Sequence, residues 1–216
     1  MTDDQIEMRP ANENPWYVLA TYYGEQTGDR IDEDLHAKNR EIWNRWMAAA
    51  LSDEVRQKLI DEKRATVAEM KPFSAEERWK VWAYCRSPDL FAPDPATDIN
   101  FNDTVFASPV SFDNFFFPKT TNFSQSEFQK NTCFNLTTFR DHADFQHVKF
   151  HGRSDFRSAT FQFETHFPFA KFLQSINFHQ ATFQGNASFA DTEFSGQVAF
   201  NEAAFLDFVI FSHARP

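Results

Sequence analysis

From residue 101 to residue 211 apolar and polar positions alternate on a fixed beat. Phenylalanine stands at 101, 106, 112, 117, 123, 128, 134, 139, 145, 150, 156, 161, 167, 172, 178, 183, 189, 194, 200, 205 and 211. The steps alternate five and six, so the true unit is one short step plus one long step. Two residues before each Phe stands Ala, Ser, Thr, Val or Ile at 20 of the 21 positions, and Phe115 is the exception. Residues two apart share one face of an extended chain, so a small side chain and a Phe point inward together. The positions between them are mostly Asn, Gln, Asp, Ser, Thr, His, Lys and Arg. A helix does not fit, because steps of five and six rotate by about 140° and 240° at about 3.6 residues per turn. That would split the Phe into two stripes, and Pro109, Pro118 and Pro168 inside the run also oppose a helix. The pattern predicts short strands joined at corners, and its fixed period predicts a repeat architecture.

The first hundred residues have a different period. Leu35, Ile42, Trp43, Trp46, Met47, Ala50 and Leu51 recur at helical spacing, with Asp32 or Asp34 as the cap. Ser52 opens a second helical stretch that Pro72 stops, with Val55, Leu59 and Val67 facing inward. Ser74 and Glu77 form a capping box for a third, where Trp79, Val81 and Trp82 supply apolar bulk. NPWYVLATYYGEQ reads as either a strand or a short helix. His36 has no second ligand at metal spacing, and Asn39, Arg40 and Asn44 read as solvated or capping positions.

Composition divides the chain at the same place. All five Trp and all four Tyr precede residue 85, whereas 26 of 28 Phe lie at or after Phe101. Three segments follow: a helical domain over 1–86, a Pro- and Asp-rich connector over 87–98, and the repeat over 99–216. The net charge is −10: residues 1–100 hold 20 acids and 13 bases, and the remainder 11 and 8. This balance and the lack of a basic cluster argue against direct nucleic-acid binding and against an anionic membrane. Cys85 and Cys133 read as two unpaired thiols. The polar, acidic N-terminus has no signal-peptide core, and nowhere do 18 apolar residues run together. The expectation is a cytoplasmic protein.

The units ADF at 143–145, SDF at 154–156, INF at 176–178 and TNF at 121–123 resemble the pentapeptide-repeat family over residues 99–211. The departure is an extra residue in every second step, which makes the repeat similar to a Phe-rich 5/6 variant. The resemblance implies an α + β-solenoid fold class: a right-handed quadrilateral β-helix of about five turns behind a small N-terminal α-helical domain. Each turn would have four faces and take two of the five-plus-six units. Phe101, Phe123, Phe145, Phe167, Phe189 and Phe211 would then form one stacked ladder. Gly152, Gly185 and Gly196 each fall two after the Phe that opens a six-residue step, which reads as a bulged corner needing positive φ.

With two units per turn, each residue gains an axial neighbour two units along the chain. No two His stack, so neither a metal site nor a cofactor site is expected. Glu127, Lys149, Lys171 and Glu193 form a column of mixed sign. Some pentapeptide-repeat proteins bind type II topoisomerases as DNA mimics, and that resemblance supplies the second function reading. It needs an acidic stripe, which the columns do not provide. The leading reading is a non-enzymatic scaffold for an unidentified protein partner, and an enzyme sited in the helical domain is the third. Phe116, Phe163 and Phe169 fall at outward positions and are candidate partner contacts. Phe208, Ile210 and Phe211 lie at an open end of the repeat, where either two chains meet or the natural chain runs on beyond residue 216, and they are candidate homodimer contacts.

Overall fold

The computed structural model describes residues 8–28, 30–84 and 90–216. Cys85, the first residues of the connector and the N-terminal segment read above for a leader lie outside them. Residues 99–210 form a β-solenoid of about five turns, and four short helices lie ahead of it. The helices are α1 (Pro15–Ala20), α2 (Glu33–Met47), α3 (Asp53–Asp61) and α4 (Ala75–Tyr84).

Each turn contributes one strand, nearly always of two residues, to each of four parallel sheets. The register joins positions two units apart: Ala143 pairs with Thr165, Lys149 with Lys171, Ser154 with Ile176 and Thr160 with Thr182. The four faces are named here by their first phenylalanines, Phe101, Phe106, Phe112 and Phe117. Arg9–Pro10 adds a sixth strand at the top of the Phe106 face, pairing with Thr104–Phe106.

The register stacks every Phe on its equivalent one turn away. Along the Phe101 ladder the ring centroids are 4.7, 5.0, 4.7, 5.0 and 4.9 Å apart, with interplanar angles of 9° or less. These distances equal the spacing of paired strands, about 4.8 Å. They exceed the roughly 3.5–4.0 Å of carbon contact, so the parallel rings are slipped sideways. Neighbouring ladders meet edge to face, as Phe145 does Phe156 at 5.8 Å and 86°. Both arrangements suit the ring quadrupole and add about 0.5–1.5 kcal/mol per pair beyond burial. The small residues complete the wall: Thr121, Ala143, Thr165 and Ala187 are all buried.

The corners correct one sequence expectation. Positive φ occurs at every five-residue corner, from Asp103 through His147 and Phe169 to His213, with values of 53–61°. The glycines of the six-residue corners are not among them. They are there for close approach. A Cβ on Gly152 would lie 2.6 Å from the Lys130 carbonyl oxygen, and one on Gly196 2.6 Å from the Ser175 nitrogen, both backbone of the turn before.

The helices seal the N-terminal end of the solenoid. In later turns a strand hydrogen bonds to the turn before it: Asn135 O accepts from Asn114 N–H, Phe115 O from Thr138 N–H, and Asn122 O from Phe101 N–H. Away from the Phe106 face, where Arg9–Pro10 pairs, the first turn has no preceding strand, and side chains of the helical head take its place. His36 Nε2 donates to Asp113 O at 2.9 Å. Burial lowers the pKa of His36, which keeps the imidazole neutral. Asn44 Oδ1 accepts from Phe116 N–H at 3.0 Å, and Asn44 Nδ2 donates to Asn114 O at 3.1 Å. Asn14 Nδ2 donates to Asn100 O at 2.9 Å. Trp43 lies flat on Phe115 at 5.4 Å and donates from Nε1 to Phe116 O. Phe115, the one large residue at a small position, fills the space beneath α2 instead of the interior of a later turn. The buried core therefore runs without a break from Tyr17 and Trp43 into the phenylalanine ladders.

Within the head, Asp32 caps α2 through Leu35 N–H. Ser52 caps α3 and accepts from Val55 N–H. Ser74 and Glu77 exchange both capping-box bonds. The stretch left open between strand and helix forms α1, with Pro15 at its first position and Asn14 as cap. Three expectations are overturned. The second helix ends at Asp61, because Lys63 takes φ 56°, and Val67 is exposed beyond it. Trp79 is 71% exposed and adds nothing to the core. Asn39 and Asn44 are buried in paired roles, with Asn39 joining Tyr23 N–H to Gly24 O.

Candidate interaction surface

Phenylalanine fills the interior of the rod, so chemistry is confined to the outward columns and to the head. Each column repeats once per turn at the strand spacing, so a long side chain always has an axial neighbour in reach. On the Phe106 face Glu127, Lys149, Lys171 and Glu193 lie in register. Lys171 Nζ is 2.8 Å from Glu193, which also pairs with Arg215, while Lys149 Nζ is 3.9 Å from Glu127. The Glu127 oxygen nearest Lys149 is already taken by His151 Nε2 at 2.6 Å. The Phe112 face carries Asp113, Asn135, Arg157 and His179, of which the first three are linked in sequence. Asn135 donates to Asp113 at 2.6 Å, Arg157 N–H to Asn135 at 3.2 Å, and His179 meets Asn201 O at 2.9 Å. Neither column is acidic along its length.

The structure separates the sequence-predicted contacts. Phe163 and Phe169 stand outside at 51% and 45% exposure, on the two corners that flank the Phe101 face. Phe163 lies 5.9 Å from the His142 ring, and His142 Nδ1 is 2.9 Å from Glu164. Phe169 stacks on His147 at 4.8 Å and 9°. Phe208, Ile210 and Phe211 are exposed at 78%, 48% and 42% on the last turn, with Leu206 and Val209 beside them. Phe116 is a correction. It occupies an outward position of the rod, but α2 packs over it and leaves it 3% exposed. Outward from the solenoid is inward to the head there, so Phe116 offers a partner nothing.

Two titratable groups on the Phe112 face sit in unusual surroundings. Burial pushes the Asp113 carboxyl up to about 6, against the pull of hydrogen bonds from Asn135. Burial, with Asp113 and Asp155 adding, pushes the Cys133 thiol up to about 12, so the free thiol is no nucleophile at neutral pH. Among the described residues no group of three or more His, Cys, Asp or Glu is placed to hold a metal ion. Among them, too, no helix is long and apolar enough to cross a membrane.

One concave feature joins chemistry that the sequence had left scattered. Met8, Gln125, His147, Lys149, Phe169 and Lys171 line an open cleft of about 430 Å³ along the corner between the Phe101 and Phe106 faces. The axial alignment of His147 under Phe169 and of Lys149 under Lys171 was readable from the repeat period. Met8 was not, because nothing in the sequence says that Arg9–Pro10 returns as the top strand of the same face.

No protein-family model, curated protein or solved structure matches the chain.

Proposed function

We propose that this chain is a non-enzymatic interaction scaffold, a stiff rod that presents ordered columns of side chains to a protein partner, and that its repeat is a Phe-rich variant of the pentapeptide-repeat type. One observation carries the reading. The rod interior is a slipped stack of phenylalanines from Phe101 to Phe211, leaving only the outer surface to act. A register held at every turn by parallel pairing keeps outward groups at fixed separations, which suits recognition of a partner without an ordering cost in the scaffold. The half-buried free thiol of Cys133 fits a reducing cytosol. The mixed columns give duplex mimicry of a topoisomerase substrate no support. Affinity capture with the intact chain from its native cytosol tests the proposal. The expected result is a protein retained in stoichiometric amount, competed by free chain and released when Phe163 and Phe169 are changed to Ser. Retention of nothing above a control rod overturns it.

The last turn adds a second contact, with another copy of the chain. Its strands at Val198–Ala199, Ala204–Phe205 and Val209–Ile210 each pair on one side only, and Leu206, Phe208, Val209, Ile210 and Phe211 are exposed there. Two such ends related by a two-fold axis would satisfy the edges and cover the apolar side chains. Light scattering of the 216-residue chain checks this, with twice the 25.2 kDa chain mass expected. A monomer at micromolar concentration refutes it.

A further inference from the structure

The cleft at the corner between the Phe101 and Phe106 faces lies outside the phenylalanine ladders, and its chemistry is specific. Its floor is the His147–Phe169 stack, two rings at 4.8 Å and 9° held outward by backbone at φ 57° and 58°. One wall is the Lys149–Lys171 pair, in register on neighbouring strands with about half of each side chain exposed. Met8, whose polarizable thioether suits an aromatic guest, also lines it, from the N-terminal end. Gln125 closes one end with an amide that both donates and accepts.

On the Phe106 face Glu127 and Glu193 stand among Lys149, Lys171 and Arg215, and Asp191 follows Phe169 by one turn on the same corner. Lys149 has only a 3.9 Å approach to a carboxylate oxygen that His151 already occupies at 2.6 Å. Like charges directly opposite on paired strands repel, and an anion seated between the two ammonium groups would relieve that repulsion. On a chain of net charge −10 the loosely paired Lys149 stands beside an aromatic platform.

Resting on the scaffold reading, we infer that this cleft is where the partner is recognised, and that it takes an acidic peptide segment with an aromatic side chain next to its carboxylates. The aromatic ring packs on Phe169 and His147, and the carboxylates bridge Lys149 and Lys171. A peptide suits the site because the cleft is open along the rod axis and does not enclose a ligand on all sides. A nucleic acid suits it poorly, because the flanking columns hold carboxylates and the whole chain would repel a phosphate polyanion.

The test uses the intact 15N-labelled chain and an acetylated, amidated peptide, Gly-Ser-Glu-Trp-Glu-Ser-Gly. Saturable amide shifts confined to residues 147–149 and 169–171 are expected, with Kd below about 1 mM. Binding should weaken roughly tenfold or more when Gln replaces both Glu of the peptide, or in the Lys149→Gln/Lys171→Gln variant, which keeps the side-chain stems. Phe169→Ser should weaken it with the charge untouched. Absence of saturable shifts overturns the inference, as does an unchanged Kd in both variants. Tighter binding of inorganic phosphate or of an oligo-thymidine at the same residues overturns the peptide assignment. A captured partner that the Lys149→Gln/Lys171→Gln variant retains in full would sink the cleft and leave the scaffold standing. Capture of nothing by the unaltered chain sinks the scaffold itself.

Discussion

Asn44 offers the sharpest test of how the rod is ended. Its side chain is fully buried and makes two bonds to the first turn, accepting from Phe116 N–H and donating to Asn114 O. In Asn44→Ala both backbone groups lose their partner. A buried group left unpaired costs about 1–3 kcal/mol. Phe116 sits wholly beneath α2 and should cost near the top of that range, whereas the half-exposed Asn114 regains water and should cost near the bottom. The expected loss is therefore about 2–5 kcal/mol. Asn44→Leu restores volume without either bond, so its deficit relative to wild type isolates the hydrogen bonds from the packing. Urea unfolding followed by circular dichroism measures both, with an unchanged m-value required for the comparison. Hydrogen exchange gives an independent readout: the Phe116 amide should fall from globally protected to fast in either variant. A loss below about 0.5 kcal/mol in both, within ordinary surface variation, with Phe116 still protected, would refute the idea that Asn44 replaces a missing turn.

Three further outcomes follow from the same geometry. Gly152→Ala should destabilise by at least about 1–3 kcal/mol, because the new Cβ meets the backbone of Lys130 and Asn131 and not a flexible side chain; a neutral effect in thermal melting would show that the corner can open. Asp113, with its carboxyl pushed up to about 6 in the folded chain, starts from about 3.9 when unfolded. The folded state then binds more protons, so this group's destabilisation is absent below pH ~4, grows through the window and is complete above about pH 6. Asp113→Asn should therefore gain about 1–3 kcal/mol on wild type at pH 8 and little at pH 4, and a pH-independent difference would count against burial as the cause. Leu136, exposed at a corner with φ 58°, should be replaced by Asn with a gain of up to about 1 kcal/mol, read as a higher denaturation midpoint; a lower midpoint would mean that Leu136 makes a contact worth more than its strain.

The repeat was legible because its constraint is local and repeated. A small residue and a Phe must face inward at every strand, and one misplacement would leave a void or a clash that every neighbouring turn would feel. The two-unit register then placed the outward columns correctly, from His142 beside Glu164 to His147 beneath Phe169. The head and its junction were less legible, for a definable reason. His36, Asn39 and Asn44 lie on the same side of α2 as Trp43 and Met47, and a polar residue within an apolar stripe signals a buried partner. For His36 and Asn44 that partner is backbone of the solenoid, far along the chain, which no local pattern encodes. Phe116 was misplaced for the same reason. The glycines were found but given the wrong cause, since φ and the approach of a preceding turn leave the same mark on a sequence.

The corners separate what the fold demands from what it merely tolerates. Every five-residue corner holds a residue at positive φ, and most are Asp, Asn, Gln, Ser or His. Asn, Asp and His accept that region at low cost, whereas a bulky apolar residue loses about 1–2 kcal/mol on entering it. Phe169 does so with 45% of its surface exposed, and it adds nothing to the ladders. Its stacking on His147 returns about 0.5–1.5 kcal/mol beyond the burial of the covered half of the ring, and together these offset the strain. Burial accounts fully for Phe167 two residues before it, between Phe145 and Phe189, whereas Phe169 leaves nearly half of its surface to solvent. The two phenylalanines look alike in the sequence. One belongs to the architecture, and the other is the platform on which the proposed partner would pack.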